Sequence, residues 1–351
     1  MHRYRSTRWA ALFAVAVFAV GACSSSAASQ APATAAPTAA PTAAPPAEST
    51  DFTVAFTSVG LSSSPFLAAI DKLNNEMGYN ITTQELAESE LVTAGVAAGD
   101  FAFGSGANNA TLAAIENGAS LRSVVARVQN EWTLYARTEI TDCAGLDGVK
   151  LAIHSPGAVS TAMVKNYIDT VCPGTEPEYV VIEGSNNRVT ALLADQIDAS
   201  PVELSDAINL DLTAADRFHQ IASFANDLPD LQTTSIYANG DFAAANPGSV
   251  AALVKAVLEI NREIENDPAR LQAIAEQFVP AAINPETIGA AAAKYVELGM
   301  FPTDGGLTEA NIQYTLDFFG PDGTGSTTVA IPMDQFADLS YLQAALSELG
   351  G

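Results

Sequence analysis

Residues 51–57 alternate apolar and polar positions and are rich in β-forming side chains, so they predict a strand. The pattern breaks into a small-polar loop, 58–64. Residues 65–70 then predict a helix, with Ser64 as N-cap and Pro65 at the first helical position. Strand, Ser/Gly loop and helix form the α/β unit that places ligands at strand carboxyl ends and helix amino ends. The unit recurs. A helix ends at Gly99, a short strand is expected at 101–103, a small-polar loop at 104–108 and a helix at 109–115. Residues 149–153 and 178–182 predict strands, followed by helices at 159–170 and 187–194. A further short strand is expected at 196–199 and a loop at 200–203. Two similar α/β halves imply two lobes facing one another. The last third predicts helices opening at Asn246-Pro247, Asp267-Pro268, Asn284-Pro285 and Thr308.

The first fifty residues follow another pattern. Arg3, Arg5 and Arg8 precede an apolar run from Trp9 to Val20, which ends in Gly21-Ala22-Cys23. A basic start, a run short for a membrane span and a small-residue end describe a secretory signal over 1–22. An uncleaved anchor is the alternative that the length disfavours. Val20-Gly21-Ala22-Cys23 resembles the bacterial lipobox, so Cys23 is expected to be lipidated and to anchor the chain on the outer face of the cytoplasmic membrane. Loss of 1–22 removes three arginines and no acid. Residues 24–50 are Ser, Ala, Pro and Thr with one charge, Glu48, and read as an extended tether with a reach of up to roughly 80 Å.

Charge narrows the partners. The 351 residues hold 15 Lys and Arg against 40 Asp and Glu, a formal net charge of −25, which argues against nucleic acid and against electrostatic docking on anionic lipid. Three Cys and three His are too few for a zinc or disulfide framework. The chain has no Gly-x-Ser-x-Gly, no phosphate loop and no dinucleotide fingerprint, so no cofactor, metal or catalytic residue is expected and an enzyme is disfavoured. His154 reads as a packing histidine beside a loop, and His219 as a surface residue at a helix end.

Several segments together carry a resemblance. They are Pro65-Phe-Leu-Ala-Ala, Ala98-Gly-Asp-Phe-Ala-Phe-Gly104, Leu146-Asp-Gly-Val-Lys-Leu-Ala152, Ala191-Leu-Leu-Ala-Asp-Gln-Ile-Asp-Ala199 and Asn246-Pro247. Their order over about 51–350 resembles the solute-binding proteins of ABC importers, in the nitrate/sulfonate/taurine and thiamine-precursor group. The chain departs from that group at Asp195, where Gly is frequent, and lacks an aromatic before the acid of the loop holding Glu203. The resemblance implies an α/β type II periplasmic-binding fold, with two lobes joined by two crossover strands and a ligand cleft between them. It places lobe one at 51–136 plus 238–351 and lobe two at 137–237, with crossings near 135–137 and 235–238. It also implies a monomer that passes a small molecule to a permease and its ATPase. A lipid-anchored sensor of the same fold is the alternative.

Candidate ligand contacts come from loops at strand ends. They are Thr57, Ser58, Ser62, Ser105 and Asn108 on lobe one, and Ser155, Gly157, Ser160, Thr161, Asn187 and Glu203 on lobe two. Each serine serves equally well as a helix cap. Trp132 either stacks on a ligand or packs the hinge. Arg188 is expected on the solvent face of its helix. With Glu203 acidic and no cation in these loops, a neutral or amine-bearing organic solute, or a monoanion held by helix ends, fits better than a multiply charged anion. Cys143 and Cys172 are the pair left after Cys23 and form either a disulfide or two buried thiols.

Overall fold

A computed structural model describes residues 47–280 and 284–350. The expected signal segment, Cys23 and the tether up to 46 lie outside the described residues. β1 (Asp51–Phe56) leads through a 3₁₀ turn (Leu61–Ser63) into α1 (Ser64–Glu76). Ser63 rather than Ser64 precedes this helix, because the 3₁₀ turn runs directly into it, and Pro65 still falls in its first turn. Next come β2 (Asn80–Glu85), α2 (Ser89–Ala98), β3 (Phe103–Ala107), α3 (Asn108–Glu116) and β4 (Leu121–Val128). β5 (Thr133–Arg137), β6 (Lys150–Ile153), α4 (Val159–Val171), β7 (Glu178–Val181) and α5 (Ser185–Leu193) follow. After them come β8 (Ala199–Val202), α6 (Leu204–Ala214), β9 (Phe218–Ser223), α7 (Phe224–Asp227) and β10 (Thr234–Asn239). The chain closes with α8 (Gly240–Ala245), α9 (Pro247–Ile264), α10 (Pro268–Phe278), α11 (Pro285–Glu297), α12 (Glu309–Phe319), α13 (Met333–Phe336) and α14 (Ser340–Glu348). No described helix is long and apolar enough to cross a membrane.

The strands form two sheets of matching order, β2-β1-β3-β10-β4 and β7-β6-β8-β5-β9. In each, three strands run parallel and the fourth place is taken by an antiparallel strand that arrives from the other sheet. The chain therefore passes between the sheets twice, at 129–132 and at 224–233. Residues 135–137 and 235–238, where the resemblance puts these crossings, lie inside β5 and β10. Pairing with β8 and β9, and with β3 and β4, commits them there. The two passages are bonded to each other. Asn130 Nδ2 donates to the Phe224 and Leu228 carbonyls at 2.8 and 3.2 Å, and Gln232 Nε2 donates to Gln129 Oε1 at 3.0 Å.

Two strands occupy segments that read as loops. β3 takes in Gly104-Ser-Gly-Ala107, because these residues pair with β10, and Gly104 leaves room for Tyr237, whose ring would stand 2.5 Å from a Cβ there. β8 begins at Ala199 and runs through Ser200 and Pro201, paired antiparallel to β5. His219 is in β9, with its Nε2 2.8 Å from the Ile140 carbonyl, rather than at a helix end. The fold also starts before residue 51. Ser249 N at the amino end of α9 donates to Glu48 Oε2 at 2.9 Å, and Ser49 N donates to Asn246 Oδ1 at 2.6 Å. A carboxylate at a helix amino end is held by unpaired N–H groups and the helix dipole. The Cys143 and Cys172 sulfurs are bonded, tying a 3₁₀ turn to the end of α4.

Candidate functional site

The helices α1 and α3 begin after strands of the first sheet, and α4, α5 and α6 after strands of the second. Direct contacts join the two sides. Asn109 Nδ2 donates to the Gly157 carbonyl at 2.6 Å, Ser155 Oγ donates to Glu90 Oε1 at 3.1 Å, and α6 packs against α11. Glu203, immediately before α6, reaches the first loop: a Cβ on Gly60 would stand 3.9 Å from its Oε2.

Around Glu203 the two lobes and the first crossing contribute a charged cluster. Glu131 in the crossing is 2% exposed and accepts a hydrogen bond from the Tyr295 hydroxyl of α11, with Ser62 nearby. Asp206, in the first turn of α6, lies beside Ser185, whose Oγ accepts from Glu203 N at 3.0 Å. Arg127 of β4 and Arg188 of α5 supply the cations. Arg188 is fully buried. Its Nε donates to Ser200 Oγ and to the Pro201 carbonyl, both at 3.1 Å, and its guanidinium carbon lies 5.9 Å from the centre of the Trp132 ring.

Burial and the charges of Glu131 and Asp206 push the Glu203 carboxyl up to about 8, against the pull of Arg127 and Arg188. Glu203 as a residue keeps some exposed surface, yet burial of its carboxyl group is the largest influence on it. Burial also raises Glu131, although Tyr295, Arg127 and Ser62 oppose it, and raises Asp206 against Ser185 and Arg188. The same burial lowers Arg188 to about 10, so it stays cationic at neutral pH while Glu203 is largely protonated.

Closure also strands polar atoms. Arg127 Nε and Arg188 Nη2 are closed to water and find no hydrogen-bond partner among the described residues. The same holds for Ser105 Oγ, Asn108 Oδ1, Thr133 Oγ1 and Ser160 Oγ. Each such atom costs about 1–3 kcal/mol. A molecule admitted between the lobes that paired them would offset that cost. Among the described residues, no group of three or more His, Cys, Asp or Glu is placed to hold a metal ion.

Residues 64–270 match the protein-family model described as NMT1/THI5 like. The chain belongs to this family. No curated protein matches it. Solved structures place its fold. A ligand-binding component of an ABC-type import system from Staphylococcus aureus, with zinc bound, aligns at a TM-score of 0.68 and 11% identity, covering 84% of this chain and 98% of that one. A putative periplasmic sulfonate-binding protein of a sulfonate ABC transporter from Methylobacillus flagellatus aligns at 0.64 and 16%, covering 86% and 94%. The periplasmic nitrate-binding protein of Synechocystis aligns at 0.66 and 12%, covering 86% and 89%. The fold is that of the periplasmic binding proteins.

The residues that the sequence marks as candidates scatter over this NMT1/THI5-like frame. Ser62, Ser105, Asn108, Trp132, Ser160 and Thr161 are buried, and Glu203 lies in the charged cluster. Thr161 Oγ1 bonds back to the Ser155 carbonyl at 2.8 Å, and Ser155 and Gly157 reach across to lobe one. Thr57 is partly exposed and Ser58 exposed, while Asn187 is exposed and spends its Nδ2 on the Glu183 carbonyl at 2.8 Å. Arg188 corrects the expectation of a solvent-facing residue, because its guanidinium is needed to bond the β8 backbone and Ser200. His154 Nδ1 accepts from Gly184 N at 3.0 Å, which holds the start of α5, and burial and Arg188 lower its pKa. Arg127, Glu131, Asp206 and Tyr295 went unmarked. The first two carried a signal: they interrupt the otherwise mostly apolar stretch 121–136, where a charge requires a partner. Tyr295 carried none.

Proposed function

We propose that the protein captures a small organic solute between its lobes, without chemical turnover, and delivers it to an ABC permease. The observation that carries this reading is the pairing of unpartnered guanidinium N–H groups on Arg127 and Arg188 with the carboxyl groups of Glu131, Glu203 and Asp206 at the junction of both lobes. A solute for such a site has two faces. One carries N–H or O–H donors for the carboxyl groups, and the other carries acceptors for the arginines. The two buried arginines change the expectation from the loops alone, which lacked cations and pointed to a neutral or amine-bearing solute or a monoanion held by helix ends. The fold of importer binding proteins supports the transport role. The Cys143–Cys172 bond supports an oxidising, extracytoplasmic setting, with Cys23 as the anchor point.

A thermal-shift screen of nitrate, sulfonates, taurine, aminopyrimidines and amines tests the reading. A solute held only by the native state raises stability by about 2.7 kcal/mol at a hundredfold excess over its dissociation constant. Detection of product from any hit would replace binding with catalysis.

A further inference from the structure

The surfaces on which the lobes meet are crowded with acids. Glu203, at the start of α6 on lobe two, faces Glu131 of the first crossing and Asp206 of its own helix. Arg127 of β4, Arg188 of α5 and Tyr295 of α11 face it as well. Three acids therefore stand against two arginines. The contacts that assemble this group run from lobe to lobe: α6 packs on α11, and the Glu203 side chain reaches the loop at Gly60. Glu131 is tied to lobe one through the Tyr295 hydroxyl. A second acidic group also spans the lobes. Glu88 and Glu90 of lobe one stand near Glu183 and His154 of lobe two, and Ser155 Oγ donates across to Glu90 Oε1 at 3.1 Å. Like charges gathered in a poorly hydrated junction repel one another and lose their solvation. A proton relieves both costs. Separation of the lobes does the same, because it returns the carboxylates to water.

We propose that closure of the lobes takes up a proton at the Glu203 group, so that the protein closes in acid and opens as the pH rises. The electrostatics agree in sign. Burial, Glu131 and Asp206 put the Glu203 carboxyl at about 8 in the closed arrangement, whereas in water it titrates near the ordinary 4.5. Burial, followed by Glu90 and Glu183, raises Glu88 as well. Between the two Glu203 values the closed form holds a proton that the open form has released. The ratio of closed to open therefore falls as pH rises, by at most about tenfold per pH unit for one proton. This coupling belongs to the lobes themselves and holds whether or not the junction takes a solute.

Spin labels test it on the full chain with no solute added. Met77, just past the end of α1, and Leu212, far along α6, are 55% and 54% exposed and lie on different lobes. They carry the labels as Met77→Cys and Leu212→Cys, with Cys23→Ser to remove the thiol outside the Cys143–Cys172 bond. Pulsed electron resonance is expected to show a shorter and a longer distance between them. The longer population grows from pH 6 to pH 9, by up to about tenfold per unit where the change is steepest. Glu203→Gln has no proton to lose and keeps the shorter distance across the range. Asp206→Asn relieves part of the repulsion and opens less at pH 9 than the labelled parent. Melting curves show which variants are folded, and the parent profile decides alone where one is not. A distribution that does not move with pH, or that shifts towards the shorter distance as pH rises, overturns the proposal. So does a folded Glu203→Gln or Asp206→Asn that opens in step with the parent. No solute enters the measurement, so a failed thermal screen would leave this result untouched.

Discussion

Glu203 is the residue on which the chemistry of the cleft turns, and its proton sets a pH dependence with a definite sign. Its folded-state pKa, about 8, lies above the ordinary value of 4.5, so between those values the native chain holds a proton that the unfolded chain has released. Stability therefore falls as pH rises through that window, by at most about 1.4 kcal/mol per pH unit. Glu203→Gln has no such proton. Its melting temperature is expected to match wild type at pH 5 and to exceed it increasingly towards pH 9, as followed by calorimetric scans. A parallel decline of both proteins would place the Glu203 carboxyl in water. Asp195 makes a second case. It is the non-glycine residue at positive φ, +58°, just past α5, where its carboxylate accepts from Arg137 at 2.8 Å and Arg217 at 2.7 Å. A glycine would fit this backbone without strain. Asp195→Ala keeps the strain and loses both arginine contacts, so it lowers the melting temperature more than Asp195→Gly, and the reverse order would mean the strain is negligible.

The elements differ in how openly the sequence announced them. Helices opened by an acceptor and proline were legible to within a residue or two, as at Pro247, Pro268 and Pro285, because proline at the first turn is a local signal. β3 runs on through Gly104 because it pairs with β10, more than 130 positions away. The cleft was half legible for the same reason. Loops at strand ends declared Glu203, whereas Arg127 and Tyr295 reach it from the far strand of the first sheet and from the C-terminal helices. The Cys143–Cys172 bond closes a separation of 29 residues and ties α4 to the turn before β6. The double variant Cys143→Ser, Cys172→Ser is expected to lose about 3–4 kcal/mol in denaturant unfolding. A loss under about 1 kcal/mol would mean that α4 is held by its packing alone.

At the scale of the whole molecule, two sheets of matching order exchange one strand each and meet where acids and arginines are buried with unpaired atoms. Such a junction favours closure around a partner that completes its hydrogen bonds, since closing without one leaves Arg127 and Arg188 N–H groups unmatched. The most direct measurement is a calorimetric titration of wild type and Glu203→Gln with the strongest stabiliser from the thermal screen. Binding between the lobes predicts one site per chain. It also predicts affinity weakened by about 0.5–1.5 kcal/mol in the variant, the range for a hydrogen bond to a neutral group, with melting of the free variant unchanged at pH 5. Equal affinity in the two proteins would contradict it by removing Glu203 from the site.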